Sequence, residues 1–285
     1  MYKKMVVLLD GSKLAEVVFD YAQELSGRLG IDVGLLHVCR PEEAAQLPMR
    51  RAYIEQMAAL LCASAEQVRA KYQGDSAECI QAHGHVAVGY PAQRILEYVD
   101  ENDIDLVVMS THGSSGEKVW DIGEVANKVI HASKVPVWLV PTELRGEVIS
   151  DSVPNRSTLV PLSGSKSSEG AIRHAVDLLQ HRGVQGSGEL VLLHVGVEDR
   201  LAEAKEYLEG LARPLRDSGL AVRTEALRGE PDKTIISYLK DNPTQLIVMA
   251  TRGKSRISRR IFGSVTESVI HMVKVTPLLL ISGEE

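Results

Sequence analysis

Short, largely apolar runs recur along the chain: MVVLL (5–9), VGLLHV (33–38), HVAVG (85–89), DLVVMST (105–111) and VPVWLVP (135–141). Runs of this length without polar alternation read as strands buried on both faces. Between them the apolar positions switch to a helical period. Residues 13–28 place Val17, Val18, Tyr21 and Leu25 on one side, and helices are predicted over 50–72, 91–102 and 123–133. Strands alternating with helices predict parallel βαβ units with right-handed crossovers. In such sheets ligands bind beyond the carboxyl ends of the strands.

The pattern then repeats. ENDIDLVVMSTHG (101–113) returns as DNPTQLIVMATRG (241–253), and GEVANKVIHASKV (123–135) as GSVTESVIHMVKV (263–275). Pro91 and Pro231, Gly113 and Gly253, and Gly123 and Gly263 all stand 140 positions apart. Upstream the offset drifts: LLHV (35–38) recurs at 192–195, and DGSKLAEVVFDYA (10–22) as SGSKSSEGAIRHA (163–175). Self-similarity at this scale means two copies of one domain whose early loops differ in length. Copy one is assigned residues 1–142 and copy two 156–285. The polar, unperiodic segment 143–155 between them has the composition of a linker. The expected fold is two doubly wound, five-stranded parallel-sheet domains, Rossmann-like, in tandem.

The 285 residues suffice for two such domains. A net charge of −6 argues against general binding to nucleic acid or a membrane surface, so any basic patch acts locally. Three cysteines, Cys39, Cys62 and Cys79, form no CxxC pair and read as free thiols of a reducing cytoplasm. The first apolar run is only five residues, too short for a signal peptide, and no run approaches a membrane span.

One segment stands against the acidic background: TRGKSRISRRIFGSV (251–265), with five cations between Arg252 and Arg260. Gly253 allows close backbone approach, Arg252 and Lys254 flank it, and Gly263–Ser264 opens a predicted helix whose N–H groups suit an anion. The plainer reading is a solvated basic turn, with Arg256, Arg259 and Arg260 on one exposed helical face. Other candidates are weaker. His83 and His85 share one strand face but lack a third ligand. His37 and His194, repeated within apolar strands, read as hydrogen-bonded core residues, and His131 and His271 as structural. SGSKSS (163–168) reads as a turn and helix N-cap rather than a pyrophosphatase loop. No Ser–His–Asp order or carboxylate pair appears.

The strand–MSTHG–nine residues–G–helix pattern, with LLDGS after the first strand and GYPAQRIL before the third helix, resembles the universal stress protein family. The resemblance spans nearly the whole chain, twice. It implies a non-catalytic, cytoplasmic stress-response module that binds ATP, ADP or AMP, with Mg accompanying ATP. In copy one it points to Asp10 for the ribose and adenine, Val38 for the adenine, and Ser110, Gly113 and Gly123 for the phosphates. In copy two it points to Val195, Ala250, Gly253, Gly263 and Ser264. Each copy departs once from the pattern: Glu124 stands where a Ser or Thr belongs, and Ser163 where the aspartate belongs. Two anions about 4 Å apart repel by roughly 4 kcal/mol at an effective dielectric of 20. A lost charge-assisted hydrogen bond costs about 1.5–3 kcal/mol. Copy two is therefore expected to keep the better phosphate site. Two alternatives stay open: a slow ATP hydrolase, for which copy one offers His112 and Glu117, and a nucleotide-free scaffold. The terminal strands of the copies, 135–141 and 276–282, are apolar edges. By the resemblance they are expected to pair as an intramolecular pseudo-dimer, with homodimerisation of whole chains as a further option.

Overall fold

The computed structural model is described for residues 1–73, 79–111, 122–181, 188–251 and 263–282. It falls into two compact units, the first built on Met1–Leu144 and the second beginning at Arg145.

The first unit runs β1 (Lys4–Leu8), α1 (Lys13–Leu29), β2 (Asp32–Cys39), α2 (Leu47–Gln73), β3 (Ala82–Val88), α3 (Pro91–Glu101), β4 (Leu106–Ser110), α4 (Glu124–Ala132) and β5 (Val137–Val140). Its strands lie in the order β3-β2-β1-β4-β5, and every pair is parallel. The chain walks outward from β1 through β2 to β3, then returns to the other side of β1 for β4 and β5. That reversal creates a crevice between β1 and β4, where ligands of open α/β sheets bind.

Side-chain alternation on β3 shows how both faces are covered. Gly84 faces α2: a Cβ there would lie 2.9 Å from the Ile54 carbonyl carbon and oxygen. Its neighbours point to α3, where the Tyr98 hydroxyl lies 3.4 Å from His83 Nε2 and the Tyr98 ring packs on His85 at 5.2 Å. Burial on both faces explains why β1 and β4 read as unbroken apolar runs; Met5, Val6, Val7 and Leu106–Val108 have no exposure. β3 starts three residues before the HVAVG run because its register pairs Ala82–His85 with Val33–Leu36 of β2.

The second unit contains α5 (Gly146–Ile149), β6 (Thr158–Pro161), α6 (Lys166–Gln180), β7 (Leu190–Gly196), α7 (Leu201–Asp217), β8 (Val222–Arg228), α8 (Pro231–Asp241), β9 (Leu246–Ala250), α9 (Ser264–Met272) and β10 (Leu278–Ile281). The order β10-β9-β6-β7-β8, all parallel, matches the first unit. The segment read from composition as a linker carries α5, and Val148 and Val153 within it are buried. Gln245 Nε2 donates to the Val148 carbonyl at 2.6 Å. Two apolar anchors five positions apart produce no period, so the sequence pattern does not reveal this docking.

Among the described residues, no helix is long and apolar enough to cross a membrane, and no group of three or more His, Cys, Asp or Glu could hold a metal ion. Cys39, Cys62 and Cys79 are free thiols, as their spacing suggests.

Candidate functional site

The crevice of the first unit opens into a cavity of about 650 Å³, within the range of small-molecule sites. Each wall is the end of a strand or the start of a helix. Leu8–Ser12 enter from β1, Leu36–Val38 from β2, Met109–Thr111 from β4, and Gly123–Ala126 from α4.

The β1 wall is a turn set by two residues. Asp10 Oδ1 accepts the Ser12 N–H at 2.9 Å, and Gly11 supplies a φ of +79°. A side chain at position 11 would meet left-handed strain and also the Arg50 guanidinium, whose Nη1 lies 2.7 Å from the place of a Cβ. His37 joins the β2 wall to the turn: its Nδ1–H donates to the Leu9 carbonyl at 2.7 Å. Burial lowers the pKa of His37, with the Leu9 hydrogen bond opposing, so it is neutral at pH 7 with its proton on Nδ1. His194 makes the equivalent bond to Leu162 at 2.8 Å. Both are hydrogen-bonded as expected, but only His37 is buried in the core; His194 is half-buried.

The opposite wall is the N-terminus of α4. Gly123 is its N-cap, with an ordinary φ of −57°, and its N–H donates to the Thr111 carbonyl at 3.0 Å. The first N–H groups of the helix have no intrahelical acceptor, so this end suits an anion. Glu124 occupies the first helical position, but its carboxylate does not fold back over those N–H groups. It pairs with Lys128 at 2.6 Å, and its side chain is 81% exposed. That hydrogen bond, with the Lys128 charge and a smaller contribution from Arg40, holds its carboxyl below the usual range. A solvated, paired carboxylate repels a ligand far less than the bare 4 Å charge pair assumed from sequence.

Two arginines complete the site, and the sequence pattern does not single them out. Arg40 follows β2; Arg50 comes from the first turn of α2 and reaches back over Gly11. Arg50 Nη2 donates to Gln46 at 3.2 Å, its Nε is buried with no hydrogen-bond partner, and it has no ion pair among the described residues. The signal available was internal comparison. Tyr53-Ile54-Glu55 matches Tyr207-Leu208-Glu209, with Ile54 and Leu208 both buried, so Arg50 aligns with Ala204. Arg40, three residues after His37, aligns with Val197.

In the second unit the equivalent turn has a different chemistry. Ser163 replaces the aspartate, and its hydroxyl lies 2.9 Å from that of Ser165 and 3.2 Å from that of Ser168. Ser165 caps α6 by accepting the Ser168 N–H. Tyr207 donates to Glu169 at 2.9 Å, linking α7 to α6. Val195, one residue before the end of β7, is half-buried, Ala250 is buried, and the Ala250 carbonyl accepts from Thr266 Oγ1 at 3.0 Å. Gly263 caps α9 with a φ of −65°, and Ser264 follows, exposed. Thus the structure brings Asp10, Val38, Ser110, Gly123 and Glu124 around one cavity. Gly113, His112 and Glu117, and Arg252, Gly253 and Lys254 with the rest of the basic segment, lie outside the described residues.

The comparisons identify the family and the fold. The model of the universal stress protein family matches residues 1–141 and again 154–282. The universal stress protein YxiE of Bacillus subtilis (strain 168) is 28% identical over 153 residues, 49% of this chain and 99% of that protein. Slr1230 of Synechocystis, also a universal stress protein, is 20% identical over 300 residues and covers 97% of this chain and 99% of its own length. The crystal structure of a universal stress protein from Archaeoglobus fulgidus superposes with a TM-score of 0.71 at 22% identity, covering 99% of this chain and 98% of the other. With both halves matched by the family model and the same strand order in each unit, the chain belongs to the universal stress protein family, as two family domains in tandem.

Proposed function

We propose that this protein is a stress-response regulator that binds adenine nucleotide without a dedicated catalytic apparatus. The observation that carries the proposal is the 650 Å³ cavity at the β1–β4 crossover. It presents a carboxylate, Asp10, for ribose hydroxyls, the end of β2 at Val38 for a flat base, and a helix N-terminus for phosphate. Asp10 and Glu43 are offset by the guanidinium groups of Arg40 and Arg50, so a net anion meets no overall repulsion.

The two copies divide the work in this reading. Copy two, with Ser264 rather than a carboxylate at the start of α9, holds a polyphosphate chain better, and ATP with Mg is its ligand. Copy one holds the nucleoside better, because Asp10 is an ionic acceptor where Ser163 is a hydroxyl already engaged with two other serines. Occupancy then adjusts the protein's contacts with partners in the cytoplasm.

The test is the nucleotide content of freshly purified full-length chain, read by chromatography of the denatured supernatant, followed by calorimetric titration of the emptied protein with ATP, ADP and AMP. Adenine nucleotide in the supernatant and micromolar binding are expected. An empty protein that binds none of the three would leave the nucleotide-free scaffold as the correct reading, and phosphate release at a steady rate would make the protein a hydrolase.

A further inference from the structure

Copy one carries a cation in its cavity at a position where copy two carries alanine. Arg50 lies over the Asp10-Gly11-Ser12 turn, with Nη1 2.7 Å from the Cβ place of Gly11. Its single hydrogen bond goes to the exposed Gln46, its Nε is buried without an acceptor, and no carboxylate pairs with it among the described residues. A guanidinium in a cavity wall with donors unanswered is matched by an anion with several acceptor oxygens, above all a phosphate. Arg40 adds a second charge on the rim, close enough to Glu124 to lower the pKa of that carboxyl.

The place of this cation within the cavity restricts where the phosphate sits on the ligand. Arg50 is beside Gly11, next to the residue that meets ribose hydroxyls under the reading above. The α4 end, which would take a 5′-phosphate chain, begins instead with Glu124. We infer that copy one selects adenosine phosphorylated on the ribose 2′ or 3′ hydroxyl, with Arg50 holding that phosphate, Asp10 accepting from the remaining hydroxyl, and Arg40 supplying long-range attraction. Copy two, with Ala204 and Val197 in place of the two arginines, lacks this selectivity. The inference rests on the adenine-nucleotide reading of the same cavity.

The experiment is calorimetric titration of the full chain with 2′-AMP, 3′-AMP, 5′-AMP, adenosine and inorganic phosphate, in the parent and in Arg50→Gln, Arg50→Lys and Asp10→Asn, with thermal melts to establish folding. In the parent, 2′-AMP or 3′-AMP is expected to bind about tenfold more tightly than 5′-AMP. Arg50→Gln should bring that ratio to about one. Arg50→Lys should fall between, because an ammonium keeps the charge but not the fork. Asp10→Asn should weaken adenosine itself. A parent that binds ribose-phosphorylated and 5′-phosphorylated adenosine equally, or a preference that survives Arg50→Gln, overturns the inference and leaves the nucleotide reading intact. Binding of inorganic phosphate without any adenosine compound overturns both.

Discussion

The two copies share a sheet order and part company at one corner, where the second strand turns into the second helix. In the first unit a 3-10 turn, Pro41–Gln46, and the 27-residue α2 follow β2. In the second, a short 3-10 turn and the 17-residue α7 follow β7. The longer connection carries Arg40 and Arg50 to the cavity; the shorter one carries Val197 and Ala204. The helices also rest on their sheets through different contacts. α2 lies so close to β3 that only glycine fits at position 84. At the matching place on β8, Thr224 has room to donate its hydroxyl to Glu209 of α7. Duplication therefore preserved the strands, whose packing is shared, while the connections, which tolerate length change at small entropic cost, acquired separate chemistry.

The largest expected effect comes from imposing one copy's packing on the other. Gly84→Thr places a branched side chain against the Ile54 backbone and should destabilise the first unit by about 3 kcal/mol or more. The reciprocal Thr224→Gly removes a side chain from an open strand and should cost about 1 kcal/mol. Denaturant unfolding of the two variants measures both; equal costs would mean the helices sit equally far from their sheets.

The next prediction exchanges the residues that open α4 and α9. Ser264→Glu should lower ATP affinity about tenfold, since a carboxylate competes for the first-turn N–H groups that copy two offers to phosphate. Glu124→Ser should raise the affinity of copy one for ATP by a smaller factor, about threefold. The carboxylate it removes is already solvated and paired with Lys128. Titration of each variant against ATP checks the ranking, and a larger gain from Glu124→Ser than loss from Ser264→Glu would reverse it.

The smallest effect is a pH dependence in copy one. His37 is buried and its folded pKa lies below the ordinary 6.5, chiefly through desolvation. The unfolded chain therefore takes up its proton first. The stability associated with neutral His37 is full above pH 6.5 and declines as pH falls below it. His37→Asn, which keeps a donor for the Leu9 carbonyl, should flatten that part of the stability profile between pH 7 and 5.5. An unchanged slope in thermal melts would place the acid sensitivity elsewhere.

Much of this protein is legible in its residues. Apolar runs such as MVVLL and DLVVMST mark β1 and β4 because strands buried on both faces have no polar side to show. The alternation of runs and helical periods, repeated at a near-constant offset, determines two βαβ domains. Asp10, Val38 and Gly123 sit at strand and helix ends, so topology alone brings them to one crevice. Arg50 was not legible, because it lies 40 residues from Asp10 in a long helix whose apolar and polar positions are only weakly segregated, giving no sign of which polar residue faces the sheet's end. Nor was the docking of 145–153, whose two buried valines form no period. The paired, outward course of the Glu124 side chain was equally hidden, since sequence lists its charge but not its partner. Local periodicity fixes which faces are buried. Which side chains meet across 40 residues or more depends on how far each helix travels before it packs, and only the tertiary structure decides that.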